Sequence, residues 1–181
     1  AAVARNYDSQ ADAATSRAYL LREASLHDFT AMGILDLNGV LHLQNGKTID
    51  AREEPYFEVL QQGHNLASEP FISSHDQSLS VAIAVSSTAV NGLGVVGFLP
   101  GNAWSDLLDD ITYGETGYAF MNNQDGTTIA HPNHSLVENH YSAQEEAKKD
   151  SSLSELAKIE QAMAQGSAGS GRYSFEGKSR A

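Results

Sequence analysis

Seven histidines and 23 acidic side chains are the groups in this chain best able to do chemistry, because cysteine is absent. Without thiols, a disulfide framework, a thiolate nucleophile and a zinc–cysteine centre are all excluded. His131-Pro132-Asn133-His134, close to Asp125, is the arrangement nearest to a metal site. Two histidines set around a proline do not form a recurrent ligand pattern, so no metal is expected there. Asp106, Asp109 and Asp110 read as the solvated face of a helix. Of His42, His64 and His75, one is a candidate to line a pocket, although a hydrogen-bonded structural role is favoured for each. No nucleophile elbow, Walker loop or dinucleotide fingerprint occurs. Scattered serine, histidine and aspartate give an enzyme reading no support, so no catalytic residue and no cofactor is expected. What remains is reversible binding.

The elements that must position such a site repeat. Gly33-Ile34-Leu35-Asp36-Leu37-Asn38-Gly39-Val40-Leu41-His42 returns in altered form as Tyr118-Ala119-Phe120-Met121-Asn122-Asn123-Gln124-Asp125-Gly126-Thr127-Thr128-Ile129-Ala130-His131. Each copy is a β-prone run, an Asn-Gly or Asp-Gly pair able to take positive φ angles, and a second β-prone run. Two such hairpins, each followed by helical and then strand-like sequence, predict two similar α+β modules in tandem. That arrangement suits a sensor.

The opening segment predicts one amphipathic helix with a narrow stripe of mostly small residues, Tyr7, Ala11, Ala14, Ala18, Leu21 and Ser25. The stripe packs on the protein's own sheet or meets the same helix of a second subunit. After the first hairpin, Asp50, Glu53, Glu54 and Pro55 suit the first turn of a short helix that Gly63 stops. Strands are expected at 69–73, 79–86 and 94–99. In the second of these, Ser80, Ala82, Ala84 and Ser86 alternate with Val81, Ile83 and Val85, a pattern that buries the branched face and leaves the small face open for a loop or a ligand. A helix from Pro100 to Ile111 leads into the second module. There, 133–149 is polar loop with some helix, Leu153, Leu156, Ile159 and Met163 mark a helix stopped by Gly166, and a hairpin begins at Arg172. Compared with the first module, the second lacks closing strands, so the sequence is expected to be a piece of a longer protein.

The 181 residues carry a formal net charge of −12. Phosphate binding needs a Lys/Arg excess, so a nucleic-acid surface is excluded and docking on anionic lipid is disfavoured. No apolar run approaches the roughly 18 to 20 residues that span a bilayer. A chain trimmed of its anchor and signal peptide would read the same way.

Asn45-Gly46-Lys47-Thr48 through Pro55-Tyr56-Phe57, the strand pair from Ser80 to Leu99, Tyr113-Gly114-Glu115-Thr116-Gly117-Tyr118-Ala119-Phe120 and Asp125-Gly126-Thr127-Thr128-Ile129-Ala130-His131-Pro132 together resemble the double Cache sensor domains of bacterial transmembrane receptors, chemoreceptors and diguanylate cyclases in particular. The likeness covers nearly the whole chain. It implies an α+β fold: a long N-terminal helix (1–30), a membrane-distal PAS-like module of antiparallel sheet (31–110) and an incomplete membrane-proximal one (111–181). It also implies an extracytoplasmic location, anchoring in a bacterial cell membrane by segments outside this sequence, homodimerisation through the N-terminal helix, and a small-molecule ligand in the distal module. The receptor is expected to be a methyl-accepting chemotaxis protein, a diguanylate cyclase or a histidine kinase. The alternative is a scaffold or partner-binding domain of the same fold with a vestigial pocket.

Amino-acid-binding members of that family carry an Arg-Pro-Trp-Tyr run, whose Arg grips the ligand carboxylate, and an Asp at the end of the last distal strand. Aligned on the proline, this chain has Glu54, Tyr56 and Phe57 at the Arg, Trp and Tyr positions, with Leu99 at or beside the Asp. Replacing a cation by an anion reverses the preference for carboxylate, since unit charges in contact interact by about 4 kcal/mol at an intermediate dielectric. The expected site is Arg52, Glu54, Tyr56, Phe57, Phe71 and Ser86, with the 52–57 segment as roof and the small face of the 80–86 strand as floor. A cationic or neutral ligand held by aromatic faces follows, unless Arg52 swings inward or Glu54 only caps its helix.

Overall fold

The computed structural model describes residues 2–7, 12–88, 90–175 and 177–180. The chain divides into two compact units, Ala1–Gly101 and Asn102–Ala181.

The repeated hairpin is built alike in both. In the first unit, β1 (Ala31–Leu35) and β2 (Val40–Leu43) pair antiparallel. Asp36 N–H donates to the Val40 carbonyl (2.9 Å), Gly39 N–H donates to the Asp36 carbonyl (3.2 Å), and Asp36 Oδ1 accepts the Asn38 and Val40 N–H groups. In the second unit a shorter pair is joined by the same loop: Asn123 N–H donates to Thr127 (2.9 Å), Gly126 N–H to Asn123 (3.1 Å), and Asn123 Oδ1 accepts the Asp125 and Thr127 N–H groups. Within each loop only the glycine is left-handed, Gly39 at φ 84° and Gly126 at φ 79°. The turn is therefore a three-residue loop ending in an αL glycine. The two-residue turn with both φ angles positive, which Asn-Gly and Asp-Gly predict, does not form. An Asx side chain at the head of each loop takes up two N–H groups and favours the longer form. The two hairpins stand in separate sheets.

In the first unit, β1 and β2 join β3 (Thr48–Asp50), β4 (Leu66–Ala67), β5 (Phe71–Ile72), β6 (Leu79–Ser86) and β7 (Gly94–Pro100) in one antiparallel sheet ordered β3-β2-β1-β7-β6-β4, with β5 also on β6. Both faces are covered, and strand alternation divides the side chains between them. Leu35, Leu41, Ala82, Ala84, Val96 and Phe98 pack under Tyr56 and under Leu60 of the short helix α3 (Phe57–Gln61). Met32, Ile34 and Val95 pack under Ala4, Leu20 and Ala24 of α1 (Ala2–Asn6) and α2 (Ala13–Leu26). Each enclosed Leu or Phe contributes about 1.5–3 kcal/mol.

The expectation for β6 is reversed. Its small face is closed, with Ala82 and Ala84 fully buried, because Tyr56 fills the volume those short side chains leave. Its branched face is the partly open one, since Ile83 and Val85 remain half-buried.

The N-terminal segment also departs from a single helix. Asp12 is extended and caps α2, its carboxylate accepting the N–H groups of Ala14 (2.8 Å) and Thr15 (3.0 Å). Asp12 is therefore a start signal that periodicity alone overlooks. Ala11 lies outside the described residues. The face of α2 that meets the sheet is Leu20, Glu23 and Ala24, whereas Ala14, Ala18, Leu21 and Ser25 of the stripe are exposed. Among the described residues, no helix is long and apolar enough to cross a membrane.

The second unit gathers Ala143, Leu156 and Phe175 into its core, where the helix Ser154–Ala164 packs on the hairpin of Tyr173–Phe175 and Lys178–Arg180. Buried His131 is structural: its N–H donates to Ser105 Oγ (3.1 Å) and its Nδ1 accepts the Asn133 N–H (2.8 Å). Asp106, Asp109 and Asp110 are exposed.

Candidate functional site

Two successive turns shape residues 51–57: Glu54 N–H donates to the Ala51 carbonyl and Phe57 N–H to the Glu54 carbonyl, both at 3.1 Å. Proline at 55 costs nothing here, since its missing N–H falls just before α3. This segment forms one wall of an open groove of about 990 Å³, and Phe71, Ile72 and Ser74 form the other.

The charges along the groove are already engaged. Arg52 clasps Asp50 with two parallel bonds, Nε to Oδ1 at 2.8 Å and the terminal nitrogen to Oδ2 at 2.5 Å. The Arg52 hydrogen bonds hold the Asp50 carboxyl down at about 2. Glu54 reaches across to Ser74 and accepts both its hydroxyl and its N–H, the latter at 3.1 Å. With Arg52 neutralised by Asp50, Glu53 and Glu54 leave the groove net negative.

Behind Phe71 lies a closed aromatic and polar cluster. Tyr56 is completely buried, edge-on to Phe71 (6.4 Å between centroids) and to Phe98 (5.9 Å). Its hydroxyl has no hydrogen-bond partner among the described residues. Burial first, and the Glu54 charge second, push its phenol well above the ordinary value. His75 stacks on Phe98 at 4.6 Å, bonds Ser73 Oγ through Nδ1 at 2.7 Å and approaches Asp76 through Nε2 at 3.2 Å. That row of serine, histidine and aspartate has the order of a relay, and its serine is fully enclosed.

Of the six residues expected at the site, the structure sets Arg52, Glu54 and Phe71 on the groove. Tyr56 is in the core behind it, and half-buried Phe57 packs against that core instead of lining the groove. Ser86 is misplaced. Phe71 pairs with Ser80 at one end of β6, and Ser86 sits at the other, about 20 Å away at strand rise, where its N–H donates to Asn65 Oδ1. Leu99 follows Phe98 in the strand and so faces the opposite side of the sheet, with Ile83 and Val85. The sequence reading left out Ser74, the partner of Glu54, and Phe98. Neither carries a local signal, because Phe98 reaches the site through sheet register and Ser74 through the loop between β5 and β6.

No family model matches the sequence, and no curated protein matches it either. Solved structures do match. The ligand-binding domain of the Pseudomonas fluorescens chemoreceptor CtaA, in complex with L-alanine, is similar over 99% of this chain and 76% of its own, with a TM-score of 0.67 at 20% identity. The ligand-binding domain of the Campylobacter jejuni chemoreceptor Tlp3, in complex with 4-methylisoleucine, is similar over 91% of this chain and 63% of its own, with a TM-score of 0.58 at 14% identity. That of the Pseudomonas aeruginosa amino acid chemoreceptor PctC, in complex with GABA, matches over 77% and 66%, with a TM-score of 0.57 at 20% identity. The chain has the α+β fold of chemoreceptor ligand-binding domains, which bears out the resemblance drawn from the sequence.

Proposed function

We propose that the chain is the extracytoplasmic sensor domain of a bacterial transmembrane receptor, a methyl-accepting chemotaxis protein, and that it binds a small molecule in its first unit, between the 51–57 segment and the β5–β6 loop. The reading is of a binding module without catalysis. The observation that carries it is the enclosed Tyr56 hydroxyl, without a partner among the described residues, next to the Glu54–Ser74 closure. A buried hydroxyl without a partner costs about 1–3 kcal/mol. A ligand that enters behind Glu54 and accepts or donates to Tyr56 removes that cost.

On this reading Glu54, latched to Ser74, holds the groove in a closed form. A ligand bearing an ammonium or a neutral polar group competes for Glu54, parts the 51–57 segment from the β5–β6 loop, and shifts the population toward an open form. The CtaA and PctC domains that the chain is similar to are in complex with L-alanine and with GABA, which carry both an ammonium and a carboxylate. Here the acidic groups Glu53 and Glu54 suit the ammonium, while Arg52 is held by Asp50 and offers a carboxylate little. The exposed stripe Ala14, Ala18, Leu21 and Ser25 on α2 supports helix contact in a dimer.

Calorimetry against panels of amines, neutral metabolites and carboxylates tests the proposal. Binding of an amine or neutral compound that weakens in Glu54→Gln is the expected result. Tight carboxylate binding abolished by Arg52→Ala would overturn the ligand class. The filled space over Ala82 and Ala84 favours one second reading, a vestigial pocket in a partner-binding domain. Silence across all three panels would point there.

A further inference from the structure

A second cavity of about 500 Å³ opens on the other side of the first unit, between α2 and the β1–β2 hairpin. Its volume lies in the range of small-molecule sites. It exists because α2 meets the sheet only from Leu20 onward; Ala13 and Ser16, one turn and more upstream, line the gap but are too short to fill it. The floor is apolar, made by Leu20, Ile34 and Leu43, and the rim carries Arg17 from α2 and Lys47 from the turn after β2.

Neither cation has an ion pair or a side-chain hydrogen bond among the described residues, on a chain where 23 acids outnumber 11 bases. Among the described residues one acid lines the cavity, Asp36, and its two oxygens are engaged. Oδ1 accepts the Asn38 and Val40 N–H groups, and Oδ2 lies 3.0 Å from His42 Nε2. Two positive charges without a partner among the described residues thus stand over an apolar floor in an otherwise strongly acidic protein.

We propose that this cavity binds a small organic anion, with an apolar body on Leu20, Ile34 and Leu43 and a carboxylate between Arg17 and Lys47, and that the bound anion clamps α2 to the hairpin. The site does not depend on the groove at 51–57 and takes ligands of opposite charge. Because the N-terminal helix is the element through which a receptor of this fold would pair, an anion here sets how firmly that helix is held. Asp36, already committed to its own loop and to His42, does not compete with the anion for Arg17 and Lys47.

Calorimetric titration of the intact chain with benzoate, hexanoate and inorganic phosphate tests the assignment. Both carboxylates should bind more tightly than phosphate, and their affinity should fall about tenfold or more in the Arg17→Ala/Lys47→Ala pair, the scale of losing charge-assisted contacts. Both side chains are exposed, so the variant should melt as the parent does; Arg17→Gln and Lys47→Gln singly serve if it does not. Glu54→Gln should leave carboxylate binding unchanged. Absence of carboxylate binding, tighter binding of phosphate, an affinity indifferent to Arg17 and Lys47, or a loss caused by Glu54→Gln would each overturn the proposal.

Discussion

Replacing Tyr56 by Phe is the substitution whose outcome the structure fixes most narrowly. The ring of Tyr56 is wholly enclosed against Phe71 and Phe98, and its hydroxyl has no partner among the described residues. Phe keeps the edge-on contacts and removes only the oxygen. Since an unsatisfied buried hydroxyl costs about 1–3 kcal/mol, Tyr56→Phe should stabilise the ligand-free protein by about 1 kcal/mol. That corresponds to a rise of about 2–4 °C in melting temperature for a chain of this length. Tyr56→Ala makes the contrast, because it empties the space over Ala82 and Ala84 and should cost about 3–5 kcal/mol. Thermal and urea denaturation followed by circular dichroism read both changes. The same Tyr56→Phe protein should bind the groove ligand more weakly, a gain in stability paired with a loss of affinity. A Tyr56→Phe variant destabilised by more than about 1 kcal/mol would show the hydroxyl to be a structural donor and would refute the reasoning.

Glu160 is buried in the second unit; burial raises its carboxyl to about 7, against a smaller opposing pull from the Ala143 N–H. The folded acid holds its proton more tightly than the unfolded one, so this contribution to stability is complete below about pH 4.5 and is lost as pH rises through about 7. After allowance for solvent screening the loss is about 2 kcal/mol, visible as a falling melting temperature between pH 5 and about 8 that Glu160→Gln abolishes. Glu54→Ala removes the acceptor of the Ser74 N–H and should speed exchange of that amide while costing about 1 kcal/mol or less; an unchanged exchange rate would count against the latch. Gly94→Ala sets a methyl against the Val85 carbonyl across the β6–β7 ladder and should destabilise by more than about 2 kcal/mol in urea titration.

Much of this architecture is legible in the sequence because its signals are local. The Asx–Gly loops, Pro55 ahead of α3, Gly63 after it and the alternation in β6 each act within a few residues, and each marks a real element. What could not be read is which element fills which space. Alternation tells that Ala82 and Ala84 share a face, but only the position of Tyr56 decides whether that face is open. The same limit explains the site. The 52–57 run and its neighbouring strand point to Arg52, Glu54 and Phe71, which line the groove, yet the partners of Arg52 and Glu54, Asp50 and Ser74, are chosen by turn geometry and by a contact spanning 20 residues. Ser86 lies away from the groove for a simpler reason: a strand of eight residues is longer than a small-molecule site, so sharing a face with Ser80 does not place it nearby.

Amide hydrogen–deuterium exchange across the chain, with and without a compound that raises its melting temperature in a screen of amines, neutral metabolites and carboxylates, tests the central claim most directly. A ligand at one hundred times its dissociation constant stabilises by about 2.7 kcal/mol, enough to select it in such a screen. For an amine or neutral ligand, the account predicts altered protection in residues 51–57 and 71–78, with the Ser74 amide changing as Glu54 is released. Protection confined to the second unit, or spread evenly without a change at these two segments, would contradict it.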